Sequence, residues 1–336
     1  MTRVRGFGVG SMFYGIGYGF NRADIGSAMI EIAEDGTATV YSGACEMGQG
    51  VMTIVAQVAA EGIGISPEAI RVVAADTGST PDAGPTSGSR STFVQGVAVQ
   101  KAAEEMCDHI LDMASEMLDL SGGGLESRQG SIYRAGEDTP LVSVSRVASE
   151  MHRLGRRCST TAWHDITTRD VDPETSQGDA YATYGWATQL AEVEVDTETG
   201  RVKVLRLVSA TDAGKAINPA GVEGQIQGGA AMGLGYALYE QHILDDGVLR
   251  TGSLAFYLVP TSMDVPDIEC EIVEVPDPNG PYGAKGVAEP ATIPTTPAIL
   301  NAIYDAVGVR ITQTPATPER VYEAIQEARA RGEIVD

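Results

Sequence analysis

Apolar and polar residues follow two different periods along the chain, and the period predicts the type of each element. Two alternating runs flank Asp35-Gly36, which predicts a β-hairpin closed by a tight turn. Apolar residues at helical spacing predict helices, and short apolar runs between loops predict strands. In the first half, the predicted elements are a hairpin at 28–33 and 37–42, a helix at 51–62, a strand at 70–75 and a helix at 92–118.

The second half of the chain echoes this order. A predicted hairpin at 191–200 and 202–207 is followed by a loop and by a glycine-rich helix from about 221 to 238. Two more helices are predicted, one at 297–307 with Thr296 as its N-cap and one at 318–331. The repeated order predicts an α+β fold of two similar lobes, built from β-hairpins and glycine-rich helices, at residues 1–170 and 171–336.

The N-terminal stretch at 6–20 alternates glycine with aromatic and apolar residues. Glycine is a poor helix former, so a helix is not expected here. The stretch is either an edge strand or a loop that lines a site with its aromatic side chains.

The acidic balance of the chain excludes several classes of partner. Asp and Glu number 46 against 23 Lys and Arg, a formal net charge of −23. This charge argues against binding nucleic acid or an anionic membrane through a basic face. No run approaches the roughly 18 apolar residues of a membrane-spanning helix, and no signal-peptide pattern is present. We therefore expect a cytoplasmic protein.

The four cysteines and four histidines are scattered along the 336 residues. No CxxC, HxxxH or HExxH spacing occurs among them. Iron–sulfur ligation, a disulfide framework and a metal site made of side chains are therefore not expected of this chain.

One acidic residue, Glu289, lies in a loop of small residues at 282–290. Because Pro290 disfavours helical geometry in the residue before it, we expect an extended backbone at Glu289. A carboxylate in a loop of such small residues is suited to act as a general base beside a bulky cofactor. The alternative is a surface glutamate in a turn, paired with Lys285.

The glycine-bracketed segment 47–50 ends where the helix at 51–62 is predicted to begin. Free backbone N–H groups and the positive helix end favour an anion such as a phosphate at this point. The alternative is that these glycines only cap the helix and pack. No GxxxxGK[ST] or clean GxGxxG motif occurs, so a P-loop or nicotinamide site is not expected.

Four ordered segments carry a resemblance to a known family: 43–50 (GACEMGQG), 86–91 (TSGSRS), 224–229 (GQIQGG) and 283–290 (GAKGVAEP). The chain resembles the molybdopterin-binding subunit of the xanthine dehydrogenase/aldehyde oxidase family of molybdenum hydroxylases. The resemblance implies the C-terminal half of that subunit, since nothing here is similar to its earlier half. A methionine at this point implies a split gene, organised like the medium molybdopterin subunit of nicotinate dehydrogenase.

The resemblance implies a role for particular residues. Glu289 would be the catalytic base, although Ala288 stands where the family usually has glycine. Tyr14 and Tyr18, with Phe13, would sandwich a flat substrate ring, the alternative being that they pack against the missing half. The residues that would contact the cofactor are Gly48, Gln49, Gly88, Ser89, Arg90, Ser91, Gln225 and Gly286.

The implied reaction is hydroxylation of an electron-poor carbon in an N-heteroaromatic substrate, purine or nicotinate-like, with water as the oxygen source. The implied cofactor is molybdopterin cytosine dinucleotide with molybdenum. Expected partners are a large molybdopterin subunit carrying the missing first half, an iron–sulfur subunit with 2Fe-2S clusters and an FAD subunit. The alternatives are an aldehyde-oxidising or hydratase-type enzyme with the same cofactor, or a structural subunit that touches no cofactor.

Overall fold

The computed structural model describes residues 3–120 and 124–333, which form the expected α+β fold. None of the helices in these two ranges is long and apolar enough to cross a membrane. The helices are α1 (Val51–Ile63), α2 (Gly96–Leu118), α3 (Val144–Arg153), α4 (Pro219–Leu238), α5 (Ala288–Thr292), α6 (Thr295–Val307) and α7 (Pro318–Arg331). The strands are β1 (Arg3–Gly15), β2 (Ile25–Ile32), β3 (Ala38–Ser42), β4 (Ile70–Ala74), β5 (Leu125–Arg128), β6 (Ser131–Arg134), β7 (Val142–Ser143), β8 (Ser159–Asp165), β9 (Tyr184–Asp196), β10 (Val202–Asp212), β11 (Leu244–Asp245), β12 (Val248–Leu249) and β13 (Ile268–Val273).

The first large sheet contains the first predicted hairpin, in the strand order β4-β3-β2-β8. β2 and β3 pair antiparallel, so the hairpin prediction is confirmed. The predicted helices α1 and α2 pack on this sheet around a core that includes Ile30, Val40 and Met106. One turn of π-helix, Ser91–Gln95, leads into α2. The loops that precede α1 and the π-turn meet where Cys45 N donates to Thr86 Oγ1 at 3.3 Å.

The second large sheet has the order β1-β9-β10-β13, and α4, α6 and α7 contribute to its core. β9 and β10 form the second predicted hairpin. β1 pairs antiparallel with β9 along its whole length, which confirms the edge-strand alternative for the N-terminal stretch. The division of the chain at residue 170 stays a prediction; β1 lies before that point in the sequence and belongs to the second sheet.

Glycines in β1 bring helix α6 directly against the strand. A Cβ at Gly8 would lie 2.1 Å from Ala302 N, so no larger residue fits without moving the helix. The residues between these glycines face the other side of the sheet. There Phe7, Val9 and Phe13 are exposed. The glycine–aromatic alternation is therefore the packing pattern of a strand with a helix on one face only.

Two details of the helix predictions are wrong. α6 begins at Thr295 and not at Pro297, and Thr296 Oγ1 donates to Gly233 O at 2.8 Å instead of capping the helix. The backbone at Glu289 is helical, inside α5, and not extended. Pro290 is tolerated there because it lies in the first turn, where a backbone N–H has no intrahelical partner to lose.

Candidate active site

Segments far apart in the sequence meet at one open cavity of about 490 Å³. They are the loop before α1, the loop before α2, one face of α4, and the loop that leads into α5. The predicted site residues that line the cavity are Gly48, Gln49, Ser89, Arg90, Ser91, Gln225, Gly286 and Glu289. A cavity of this volume lies within the range of small-molecule sites, roughly 300–1,000 Å³.

The Glu289 carboxylate is held by the loop before α2 through both of its oxygens. Oε1 accepts a hydrogen bond from Gly88 N at 3.1 Å, and Oε2 accepts one from Ser89 Oγ. Ser89 Oγ also accepts a hydrogen bond from Glu289 N at 3.1 Å. These bonds fix a half-buried carboxylate at the cavity wall, which is the placement that a general base requires.

Lys285 does not pair with Glu289, so the alternative of a surface ion pair between them is wrong. Lys285 Nζ lies 2.7 Å from Asp212 Oδ2, and both of these side chains are more than nine-tenths buried. Asp212 Oδ1 accepts a further hydrogen bond from Gly214 N at 2.9 Å. This pair anchors the start of the Glu289 loop to the end of β10.

Gly286 sets the distance between the Glu289 loop and the loop before α2. A Cβ at Gly286 would lie 1.7 Å from Ser89 O, a backbone atom. Ser89 itself has a left-handed backbone, with φ of 52°. Gly286 is predicted as a cofactor contact and lines the cavity, but its close approach to Ser89 already requires a glycine.

The Arg90 side chain turns away from the cavity into the protein, although Arg90 is predicted as a cofactor contact. The residue is 2% exposed. Its guanidinium donates to Asp24 Oδ1, Ile25 O, Ala83 O and Pro85 O. A buried charge needs this kind of pairing and hydrogen bonding. Arg90 therefore shapes the loop before α2, and its side chain is fully engaged with protein atoms.

A carboxylate of the chain itself occupies the backbone donors at the start of α1. Glu46 accepts hydrogen bonds from Gly48 N at 2.8 Å, Gly50 N at 3.0 Å and Met52 N at 3.1 Å. Desolvation raises the pKa of Glu46, but the backbone hydrogen bonds outweigh it and the pKa is lowered. The expectation that these donors hold a phosphate is wrong in this structure, because an anion two to six residues away in the chain already takes them.

The two predicted glutamines differ in how much of their hydrogen bonding is already used. Gln49 Oε1 accepts from Met47 N at 2.6 Å and its Nε2 donates to Cys45 O at 2.8 Å. The Gln225 amide has no hydrogen bond to any of the described residues. It lies on α4 one turn from Gly228, where a Cβ would meet nothing within 4 Å. Gln225 is therefore the freer of the two to bind a ligand.

The three predicted substrate-contact aromatic residues, Tyr14, Tyr18 and Phe13, lie in different surroundings. Burial first, then the charge of the nearby Glu289, raises the pKa of Tyr14 to about 12. Tyr18 OH lies 2.6 Å from Ser87 Oγ in the loop before α2. Phe13 stacks on Trp186 on the outer face of the sheet, at 5.2 Å between ring centroids. Neither tyrosine lines the cavity, and their role towards a substrate stays a prediction.

Sequence reasoning missed two acids that hold the site together, Asp24 and Asp212. Asp24 pairs with Arg90, and its other oxygen, Oδ2, accepts from Tyr18 N at 2.9 Å. No motif or period marks Asp24 in the sequence. Asp212 has a weak signal in the sequence, since it ends an apolar strand two residues before Gly214.

A family model described as a molybdopterin cofactor-binding domain matches residues 1–266 of the chain. The chain belongs to the molybdenum hydroxylase family. The family resemblance of the four ordered segments is thereby confirmed. Those segments are also the ones that surround the cavity.

Curated relatives of this molybdenum hydroxylase chain are longer than it is. It is 34% identical over 319 residues to the gamma subunit of the 6-hydroxypseudooxynicotine dehydrogenase complex of Paenarthrobacter nicotinovorans, covering 93% of this chain and 39% of that protein. It is 33% identical over 321 residues to a probable xanthine dehydrogenase subunit of Bacillus subtilis, covering 96% and 42%. The chain therefore spans about two fifths of the length of these relatives.

Solved structures share the fold. Quinoline 2-oxidoreductase from Pseudomonas putida superposes with a TM-score of 0.86 at 28% identity, covering 97% of this chain and 42% of that one. An aldehyde oxidoreductase from Desulfovibrio desulfuricans superposes with a TM-score of 0.80 at 34% identity, covering 96% and 32%.

The residues at the cavity fit the pterin cofactor of the molybdenum hydroxylases. A Cβ at Gly48 or at Gly228 would meet no atom within 4 Å, so both glycines leave room beside the backbone. The free amide of Gln225 faces the same space as the hydroxyl-bearing Ser91 and Thr92. Polar groups of this kind match the hydrogen-bonding edges of a pterin.

Proposed function

We propose that this chain is the molybdopterin-binding part of a molybdenum hydroxylase that adds a hydroxyl group to an electron-poor carbon of an N-heteroaromatic substrate, with water as the oxygen source. The observation that carries the proposal is the Glu289 carboxylate, fixed by Gly88 and Ser89 at the edge of the cavity that the family's segments surround. The molybdenum centre, when bound, would supply the redox chemistry and activate water.

The residues of this chain would contribute a base and its support. Glu289 would accept the proton that is released as water is activated, with its oxygens already held in orientation. Ser89 and Gly88 would keep Glu289 in place, and the Tyr14 phenol, which the Glu289 charge reaches, would stay neutral beside it. Gln225 and Ser91 would bind the pterin from the cavity wall.

We propose the cytosine dinucleotide form of molybdopterin as the cofactor. A second cavity of about 160 Å³ shares Gln49, Thr92, Gln225 and Val287 with the first, so the two cavities are adjacent. Asn218, Gly221 and Lys215 line only the second cavity. An extended dinucleotide matches two adjacent cavities better than a pterin alone.

The names of the relatives and the predicted substrate contacts Tyr14 and Tyr18 support an N-heteroaromatic substrate. Of the two tyrosines, Tyr14 lies near enough to Glu289 for the carboxylate charge to raise the pKa of Tyr14. Relatives named for xanthine and quinoline act on compounds with a nitrogen heteroaromatic ring. A purine or nicotinate-like substrate fits this pattern. The aldehyde oxidoreductase, at 34% identity, favours aldehyde oxidation as the second candidate.

We propose that the active enzyme needs further polypeptides. The part of the relatives that this chain does not match would be a large molybdopterin polypeptide, and electrons would leave through 2Fe-2S and FAD subunits. Within this chain, the proposed lobes at 1–170 and 171–336 would each supply one side of the cavity. The loops before α1 and α2 lie in the first lobe, and α4 and Glu289 lie in the second.

The test is purification of the complex that contains this chain, with metal analysis and mass spectrometry of the released nucleotide. We expect molybdenum, a cytosine nucleotide, and reduction of an electron acceptor with a purine or pyridine carboxylate. Incorporation of ¹⁸O from labelled water into the product tests the oxygen source. Acceptor reduction with aldehydes alone would favour the second candidate, and product formation with no acceptor reduced would favour a hydratase-type enzyme.

A further inference from the structure

The segment between α4 and β13, residues 240–267, is called here the apolar arm. Only the short strands β11 and β12 interrupt it. Its exposed apolar side chains include Leu244, Val248, Leu254, Phe256, Leu258 and Met263, of which Leu254 is 77%, Phe256 69% and Met263 88% exposed. Large apolar side chains clustered on a surface mark an interaction site more often than a solvated face.

The apolar arm is held in shape by its own polar contacts. Tyr257 OH donates to Glu240 Oε2 at 2.6 Å, and Ile243 N donates to Thr251 Oγ1 at 3.1 Å. Arg250 pairs with Asp245 at 2.6 Å. Because these groups are satisfied within the arm, its apolar side chains are displayed from a formed loop and not from an unstructured one.

Helix α4 runs from the cavity to the apolar arm. Gln225 and Met232 of α4 line the cavity, and Tyr236 lies one helical turn beyond Met232. Met232 and Tyr236 are both exposed, and a Cβ at the neighbouring Gly235 would lie 3.1 Å from Pro260 Cδ, so the arm packs against this end of α4. A polypeptide that closes the cavity along α4 would therefore also reach the arm.

We propose that the apolar arm docks the polypeptide that corresponds to the part of the relatives' chains unmatched here, an inference that rests on the proposed function. About three fifths of each curated relative lies outside the matched region, so a large folded mass is expected beside this chain. The occupant would present an apolar groove with a basic rim, because the arm carries five acidic residues and one arginine.

A second copy of this chain fits the apolar arm less well. Two copies would bring together arms of the same negative charge, on chains that each have a net charge of −23. Like-charge repulsion opposes such a contact. The negative charge of the arm therefore favours a different polypeptide over a second copy of this chain.

The experiment uses the chain co-expressed with the polypeptide of its own organism that matches the remaining part of the relatives. The triple variant Leu254→Ser/Phe256→Ser/Met263→Ser removes the most exposed apolar groups of the arm. The matched control is Leu154→Ser/Trp163→Ser, which removes two exposed apolar side chains from other surfaces. The Kd of the complex is measured by biolayer interferometry, and the Tm of each free chain shows whether it folds.

We expect the triple variant to weaken the complex by at least about 100-fold, because buried aromatic and aliphatic anchors dominate interface affinity. Its free chain should keep the wild-type Tm, and the control variant should bind like wild type. Amides of the arm should also gain protection from hydrogen exchange when the wild-type complex forms. Unchanged affinity of the triple variant, or a homodimer that the triple variant dissociates, would overturn the docking proposal. If the triple variant loses binding and the wild-type complex contains no molybdenum, the docking surface is upheld and the proposed function fails.

Discussion

Gly286 is the residue at which one added methyl group tests the loop packing most directly. In the Gly286→Ala variant, the new Cβ would start 1.7 Å from Ser89 O and 2.7 Å from Ser89 C. Both are backbone atoms that no rotamer change can move aside. An ordinary carbon contact needs about 3.5 Å, so the two loops must separate by roughly 2 Å.

The separation has two measurable consequences of different size. Overpacking of this kind costs about 1–3 kcal/mol, which for a chain of this length is a fall in Tm of roughly 1–4 °C. The effect on turnover is larger, because Ser89 and Gly88 hold both oxygens of Glu289. A displacement of about 1 Å costs roughly 100-fold in rate, so we expect kcat to fall at least that far.

The assay pairs differential scanning fluorimetry of the chain with steady-state turnover of the molybdenum-loaded complex. Gly224→Ala is the matched control, because a Cβ at that helical position meets nothing within 4 Å. It should raise stability by about 0.5–1 kcal/mol, since alanine is the better helix former. If Gly286→Ala kept the Tm and the kcat of the wild type, the two loops would not be held together as described, and the positioning of Glu289 by Ser89 would have to be abandoned.

Substitutions at three other residues test the base, the buried ion pair and the tyrosine beside the base. Glu289→Gln keeps the shape of the side chain but removes the base, so we expect kcat to fall by about 10²–10⁴-fold with the molybdenum content unchanged; near-normal turnover would contradict the assignment. Asp24→Ala leaves the buried Arg90 guanidinium without its counter-charge, so we expect the free energy of unfolding from urea titration to fall by about 3–5 kcal/mol, and a loss no greater than that of an exposed pair would show the pair to be unimportant. The pKa of Tyr14 is about 12 in the folded chain and about 10 when unfolded, so the stability it contributes is complete below pH 10 and is lost as the pH rises towards 12. Wild-type Tm should therefore fall more steeply than that of Tyr14→Phe between these pH values, and parallel curves would refute the shift.

The sequence predicted the elements that bury one face on a sheet. Both large hairpins and helices α1 and α2 follow from the period of their apolar residues, because each of these elements buries one face. The order of four glycine-rich segments also predicted a shared site, and the structure places all four at one cavity.

Contacts between distant residues could not be predicted in the same way. Arg90 holds a motif position and is predicted to contact the cofactor, but its ion pair with the buried Asp24 has no signal in the sequence. The helix start after Gly50 had the backbone donors of an anion site, but Glu46 takes them first. Each outcome depends on which carboxylate accepts the hydrogen bonds of a given donor in the folded chain. The spacing of residues in the sequence does not show which carboxylate that is.

The pairing of β1 with β9 also governs how the chain is made. Tyr184, the partner of Gly15, is synthesised about 170 residues later, and α6, which covers the same strand, ends only at Val307. At roughly 5–20 residues per second, the first strand waits about 10 s or more for its neighbour. During that time the backbone edge that β9 later pairs and the glycine face that α6 later covers are open to other chains, so β1 is exposed to wrong pairing while the chain is being made.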